Sequence, residues 1–265
     1  VKSNQPCENK RQALSQIKRI DWTALDYRTK NQKSFYRTIG RNDVTFCVGP
    51  AGCGKTYLAT HYALKNLAQG KYENMIITKP LVEVDGEKIG YLPGDIDEKT
   101  APYMMSLYYN MEQIIGKQRL EVLKQTGVVK VIPLAYMRGL TLTNSIVVLD
   151  EAQNATTSQI KTFLTRIGNG SKFIVNGDLM QSDIKTSNGL DDSVKRFTGV
   201  KRVGFSQFDL EDVVRHPIVG ELLARYKDDY KLGALSAEET LSMWLEKQEY
   251  DEPKATSKYF YKIRN

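Results

Sequence analysis

The chain has 265 residues, 41% of them hydrophobic and 26% charged, with a formal net charge of +7. That is enough apolar material for one large core or two small ones, and no apolar run reaches the roughly 18 residues that a membrane-spanning helix needs. Three cysteines (Cys7, Cys47, Cys53) and two histidines (His61, His216) have no metal-ligand spacing and no signal-peptide pattern opens the chain, so a zinc site and a disulfide framework are excluded and the expected compartment is the cytoplasm.

The cations are concentrated at the two ends. Residues 1–40 carry nine Lys and Arg against three acids, and residues 254–265 carry four against none. The long middle is slightly acidic. A basic segment over residues 1–27 and a basic tail are compatible with a nucleic-acid footprint or with solvated termini.

In chain order, Gln32 comes first, in the stretch from Arg28 to Tyr36. A Gln amide pairs with both the donor and the acceptor on an adenine edge, although an exposed helical Gln fits as well. Val44–Val48 is a short β-branched apolar run and reads as a buried strand. It runs into Gly49-Pro50-Ala51-Gly52-Cys53-Gly54-Lys55-Thr56, a match to the phosphate-binding P-loop. There, glycines let backbone N–H groups converge on phosphate oxygens, Lys55 reaches the β- and γ-phosphates, and Thr56 places its hydroxyl on Mg²⁺. Leu58, Ala59, Tyr62, Ala63 and Leu67 recur at helical spacing behind the loop. The expected nucleotide-binding segment therefore runs from Gly49 to Tyr57.

Further strands are predicted at 74–79, 128–133, 145–151, 172–178 and 200–206, with helices at 158–167 and 190–197. This alternation predicts an α/β fold, a RecA-like doubly wound and mostly parallel sheet with ligands at the strand C-terminal ends. The stretch 81–127 is too long for an ordinary crossover and reads as an insertion. It holds a hairpin signal at Asp85-Gly86 and one or two amphipathic helices over 104–123, with Leu107, Met111, Ile114 and Ile115 on one face. The insertion fits a substrate channel, an oligomer contact or a packing elaboration. A capping box at Ser236 and Glu239 opens a C-terminal helix, and aromatics alternate with Lys and Arg after Pro253.

Ile146-Val147-Val148-Leu149 ends in Asp150 and Glu151. Two adjacent acids at a buried strand end repel each other and resist desolvation unless a cation is near. Asp150 is expected in the Mg²⁺ shell, with Glu151 polarising the attacking water. Gln181, in Gly177-Asp178-Leu179-Met180-Gln181, is placed to sense a γ-phosphate. Arg215 is a candidate for transition-state charge, with Arg138 and Arg166 as lesser candidates.

These stretches resemble the PhoH-like family of phosphate-starvation P-loop ATPases, which is similar to the core of superfamily 1 helicases. The resemblance rests on residues 49–56, 86–94 (GEKIGYLPG), 133–139 (PLAYMRG), 149–154 (LDEAQN), 163–166, 177–181 and 212–217 (DVVRHP), and covers about residues 28–230. It implies a Mg²⁺-dependent ATPase domain over 28–230, flanked by segments 1–27 and 231–265. Gln32 would read adenine, and Gly52, Gly54, Lys55 and Thr56 would hold phosphate and Mg²⁺. Asp150 and Glu151 would form the Walker B pair, and Gln181 the γ-phosphate sensor. It also implies action on single-stranded nucleic acid, RNA before DNA. No nuclease domain accompanies the core, and the termini depart from bacterial members, which suits a virus-encoded version acting in host cytoplasm. One set of motifs leaves one wall of the ATP site to a neighbouring subunit, so the expected assembly is a homo-oligomeric ring, hexameric by analogy. An ATP-gated assembly or binding module is the alternative. A metal nuclease built on Asp150, Glu151, Asp178 and Asp183 fits less well, because it has no use for a P-loop.

Overall fold

The computed structural model describes residues 5–81, 96–179, 188–214 and 218. Residues 1–216 form one compact unit; of the second, 217–265, only Ile218 is described. The predicted hairpin at Asp85-Gly86, Gln181, Asp183, Arg215 and the C-terminal helix at Ser236 lie outside the described residues.

Six strands form one sheet: β1 (Val44–Val48), β2 (Asn74–Thr78), β3 (Val129–Val131), β4 (Ser145–Leu149), β5 (Lys172–Gly177) and β6 (Val203–Gln207). Their spatial order is β3-β2-β4-β5-β1-β6, and every pair is parallel. Every residue of β4 and β5 is buried. The Ile-Val-Val-Leu run of β4 suits a strand covered on both faces, where alternation with polar residues has no use.

The covering helices divide by strand parity. Ile146 and Val148 of β4 belong to one core cluster; Val147 and Leu149 belong to the other. On the first face pack α1 (Gln5–Lys18), α2 (Lys30–Arg41), α3 (Lys55–Ala68), α4 (Ile96–Ile115) and α5 (Lys117–Gln125). On the second pack α6 (Thr157–Leu164) and α7 (Gly189–Phe197), against Phe46, Phe173 and Val175. Phe46 stacks on Phe205 at 5.4 Å and on Phe197 at 6.0 Å between ring centroids.

Because all strands run the same way, their C-terminal ends share one edge. The glycine-rich loop after β1, Asp178 after β5 and Asp150 after β4 lie along that edge in order, with β5 between the other two. This is the doubly wound α/β architecture expected of a P-loop protein.

Three sequence expectations take a more definite form. The apolar stretch 104–123 is two helices, because Gly116 adopts φ 79° and ψ 151° and breaks the run. β6 starts at Val203, since Arg202 takes φ 68° in a turn and pairs with Asp43 at 2.7 Å. The basic segment before residue 28 holds a packed helix: Ala13 and Ile17 of α1 are buried, and the Trp22 indole N–H donates to the Ile17 carbonyl at 3.0 Å.

Candidate functional site

The glycine-rich loop is held from below and from one side. Gly49 has φ 155°, and a Cβ there would lie 2.5 Å from the Phe208 Cβ and 2.9 Å from its carbonyl oxygen. Only glycine lets the chain pass so close. The Gly49 N–H donates to the Gly177 carbonyl at 3.1 Å, and the Val214 N–H donates to the Gly52 carbonyl at 3.1 Å. Gly54 caps α3 with φ 86°, a left-handed conformation that costs other residues more. α3 therefore starts at Lys55 with its first N–H groups facing the loop, an arrangement that favours anions.

Lys55 folds back into this loop. Its Nζ donates to the Gly49 carbonyl at 2.6 Å and the Pro50 carbonyl at 2.8 Å. Two carbonyls are a modest match for a buried ammonium, and phosphate oxygens are a stronger one. Cys53 donates its thiol to the Pro50 carbonyl at 3.0 Å, and burial pushes that thiol's pKa up. Gln32 is buried beside the loop and is not an exposed helical residue. Its Nε2 donates to the Cys53 carbonyl at 3.1 Å, and its Oε1 accepts from the Arg28 N–H at 2.8 Å.

The acidic strand end meets the loop across 94 positions of sequence: the Thr56 hydroxyl donates to Asp150 Oδ1 at 2.8 Å. Asp150 is only 7% exposed, and the Thr78 carbonyl accepts its backbone N–H at 2.8 Å. Burial, helped by the neighbouring Glu151, pushes its carboxyl up to about 6. The Thr56 hydroxyl, Lys55 and Lys79 pull the other way. Glu151 takes the left-handed conformation, φ 53° and ψ 39°, which turns the chain sharply off β4. Such backbone costs on the order of 1 kcal/mol or more and collects at functional sites.

A cleft of about 360 Å³ opens over these groups. Ala51, Gly52, Gly54, Lys55 and Thr56 line it from the loop, Asp150, Glu151 and Asp178 supply acids, and Tyr57 and Asn110 complete the lining with Gly177 and Val214. The donor set fits a nucleotide with Mg²⁺: one carboxylate and one hydroxyl sit together, beside a lysine and the N–H groups of a helix end. Among the described residues no group of three or more His, Cys, Asp or Glu could hold a metal by itself. A divalent ion here would need phosphate oxygens as further ligands, as Mg²⁺ commonly does.

Sequence reasoning missed several contributors. Gln153, 2% exposed, donates from Nε2 to Glu151 Oε2 at 2.6 Å and accepts the Asp178 N–H on Oε1 at 2.9 Å. Asn110 comes from α4, so the insertion reaches the cleft. Asn31 donates to Asp212 at 2.8 Å, and the Asp209 N–H donates to the same carboxylate oxygen at 3.0 Å, fixing the chain after β6 beside the loop. Arg138 and Arg166 do not line the cleft. Arg166 instead donates to the Thr162 and Leu140 carbonyls, at 3.1 and 3.0 Å.

The family model described as "PhoH-like protein" matches residues 24–227. The PhoH-like protein of Bacillus subtilis (strain 168) is 42% identical over 205 residues, 77% of this chain and 64% of that protein. Protein PhoH of Escherichia coli (strain K12) is 38% identical over 210 residues, 78% of this chain and 59% of that protein. The chain thus spans less than two thirds of the length of these relatives. Among solved structures, the large terminase from a thermophilic bacteriophage aligns at a TM-score of 0.46 and 14% identity, over 78% of this chain and 51% of that one. With a P-loop joined to an acidic strand end, and a family match over most of its length, this chain belongs to the PhoH-like protein family.

Proposed function

We propose that the chain is a Mg²⁺-dependent ATPase that remodels single-stranded nucleic acid, RNA in preference to DNA. The observation that carries this reading is the 2.8 Å bond between Thr56 and Asp150, with Lys55 and Glu151 as their sequence neighbours. It brings the phosphate-binding loop and the acid pair to one point. Lys55 and the α3 N-terminus would take the phosphates, and Thr56 and Asp150 would hold Mg²⁺, which screens charge on the phosphoryl group when bound. Glu151, beside them, would accept the proton of the attacking water. Gln181 would report the γ-phosphate.

A second feature supports a polyanionic partner. Arg19, Lys117 and Arg119 line a groove of about 580 Å³ between α1 and the α4–α5 junction, with Gln12, Gln16 and Gln118 and no carboxylate. None of the three cations has an ion-pair partner among the described residues. Such a groove suits a phosphate backbone. We further assign a second wall of the cleft to a neighbour in a homo-oligomeric ring, hexameric by analogy, with Arg215 acting in trans.

The test is steady-state ATP hydrolysis with Mg²⁺, with and without single-stranded RNA and DNA, against Lys55→Ala. Hydrolysis that depends on Lys55 and rises severalfold with RNA is expected. Lys55-dependent hydrolysis indifferent to both polymers points instead to an ATP-gated binding module. No Lys55-dependent hydrolysis refutes the ATPase.

A further inference from the structure

The Gly177–Asp178 peptide group is hydrogen-bonded at both ends to groups of the site. Its carbonyl accepts the Gly49 N–H at 3.1 Å, at the entrance to the phosphate loop. Its N–H donates to Gln153 Oε1 at 2.9 Å, and Gln153 Nε2 donates to Glu151 Oε2 at 2.6 Å. A peptide group is planar and turns as a unit. Tilting this one to follow the phosphate loop therefore also moves the N–H on which Gln153 rests.

Local packing reserves the space for this arrangement. A Cβ at Gly177 would lie 2.9 Å from Gln153 Oε1 and 2.4 Å from Leu190 Cδ2. Gln153 itself is buried, so both ends of its amide need partners. It lies in the short 3-10 helix Ala152–Asn154, directly after the left-handed Glu151, and its amide bridges from there to the end of β5.

Resting on the ATPase reading above, we propose that Gln153 is a positioning residue that carries the state of the phosphate loop to the Glu151 carboxylate through the Gly177–Asp178 peptide. Loop movement on nucleotide binding shifts this peptide, Gln153 follows, and Glu151 is re-aimed for the attacking water. Hydrolysis is thereby coupled to occupancy of the loop.

Gln153→Glu isolates the link. It keeps the size and an acceptor for the Asp178 N–H, but puts a second carboxylate against Glu151. Its kcat is expected to fall at least about tenfold, in line with losing the aim of a water-activating group. Its Kd for a fluorescent non-hydrolysable ATP analogue is expected to stay within about threefold, since Lys55 and the loop are intact. Equal losses in kcat and in analogue affinity, or a kcat within about twofold of wild type, overturn the proposal.

A thermal double-mutant cycle of Glu151→Gln and Gln153→Glu gives a readout that needs no turnover. The double variant restores a donor facing an acceptor, so it should regain melting temperature lost by Gln153→Glu. Coupling between the two positions should change when the analogue and Mg²⁺ are added. Coupling that is absent, or equal with and without the analogue, overturns the relay. A wild type that binds the analogue without hydrolysing it sinks the ATPase reading alone, and the cycle still decides the relay.

Discussion

Asp150→Asn should make the ligand-free protein more stable while abolishing the proposed Mg²⁺-dependent hydrolysis. Asparagine keeps an oxygen to accept the Thr56 hydroxyl and replaces the ionisable oxygen with a neutral amide group. In the fold the Asp150 carboxyl is raised from 3.8 to about 6, chiefly by burial. Ionising it therefore costs the folded state: the cost is absent below about 3.8, grows with pH, and is complete above about 6. A rise of about two pKa units corresponds to about 3 kcal/mol at pH 8, and to roughly half of that at pH 5, where most of the folded-state carboxyl is protonated. For a domain of this size, about 3 kcal/mol is roughly 6–12 °C in Tm. Melts of wild type and variant at about pH 5 and about pH 8, without Mg²⁺ or nucleotide, read the difference directly, because other titrations cancel. A variant less stable than wild type at pH 8, or a gain that does not grow with pH, refutes the reasoning. Mg²⁺ with an ATP analogue should then stabilise the wild type more than the variant, since a cation offsets the cost of burying the ionised carboxylate and meets no such charge in the variant.

Three further outcomes follow from contacts described above. Gly49→Ala forces a Cβ to within 2.5 Å of Phe208 and should cost about 1–3 kcal/mol in a denaturant melt, with weaker binding of an ATP analogue; an unchanged midpoint refutes the close approach. Gln32→Ala leaves the Cys53 carbonyl and the Arg28 N–H without their partner and should cost about 1–3 kcal/mol, while Lys33→Ala on the same helix should be near neutral. Arg19→Ala and Lys117→Ala should each weaken the proposed single-stranded RNA binding and lower the salt slope by about 0.7 if each cation meets one phosphate; an unaltered slope removes the groove from the proposed interface.

The residues legible from sequence are those whose signal is local. The P-loop announces itself in eight positions, and Asp150-Glu151 stand out because a strand of continuous buried residues ends in two acids. β-Branched runs place β1 to β5 within about two residues of their observed bounds. For β6 the predicted start is about three residues early, because Val200 is apolar but the chain turns at Arg202 before the strand begins. Gly116 lies inside a convincing helical stripe, and periodicity alone gives it no special weight. Gln153 and Asp212 fall inside the LDEAQN and DVVRHP stretches, but their roles are not readable there, since their partners are set by tertiary contact: Gln153 reaches Asp178 across 25 residues, and Asp212 reaches Asn31 across 181. The basic N-terminal segment reads as a tail because charge dominates its composition, although Ala13 and Ile17 sit one helical turn apart and are both buried.

The span from Asn31 to Asp212 also orders events in time. During synthesis the phosphate loop leaves the ribosome early, yet the residues that hold its sides come last: Phe208 against Gly49, Asp212 on Asn31, and the Val214 N–H on Gly52. Contacts that close so long a stretch of chain form late, because the entropy of closing it must be met first. A nascent chain that stops short of Phe208 carries every residue of the P-loop motif but lacks the packing that shapes it. The shape of the loop is therefore expected to be complete only after translation has passed Val214, and the proposed nucleotide affinity with it.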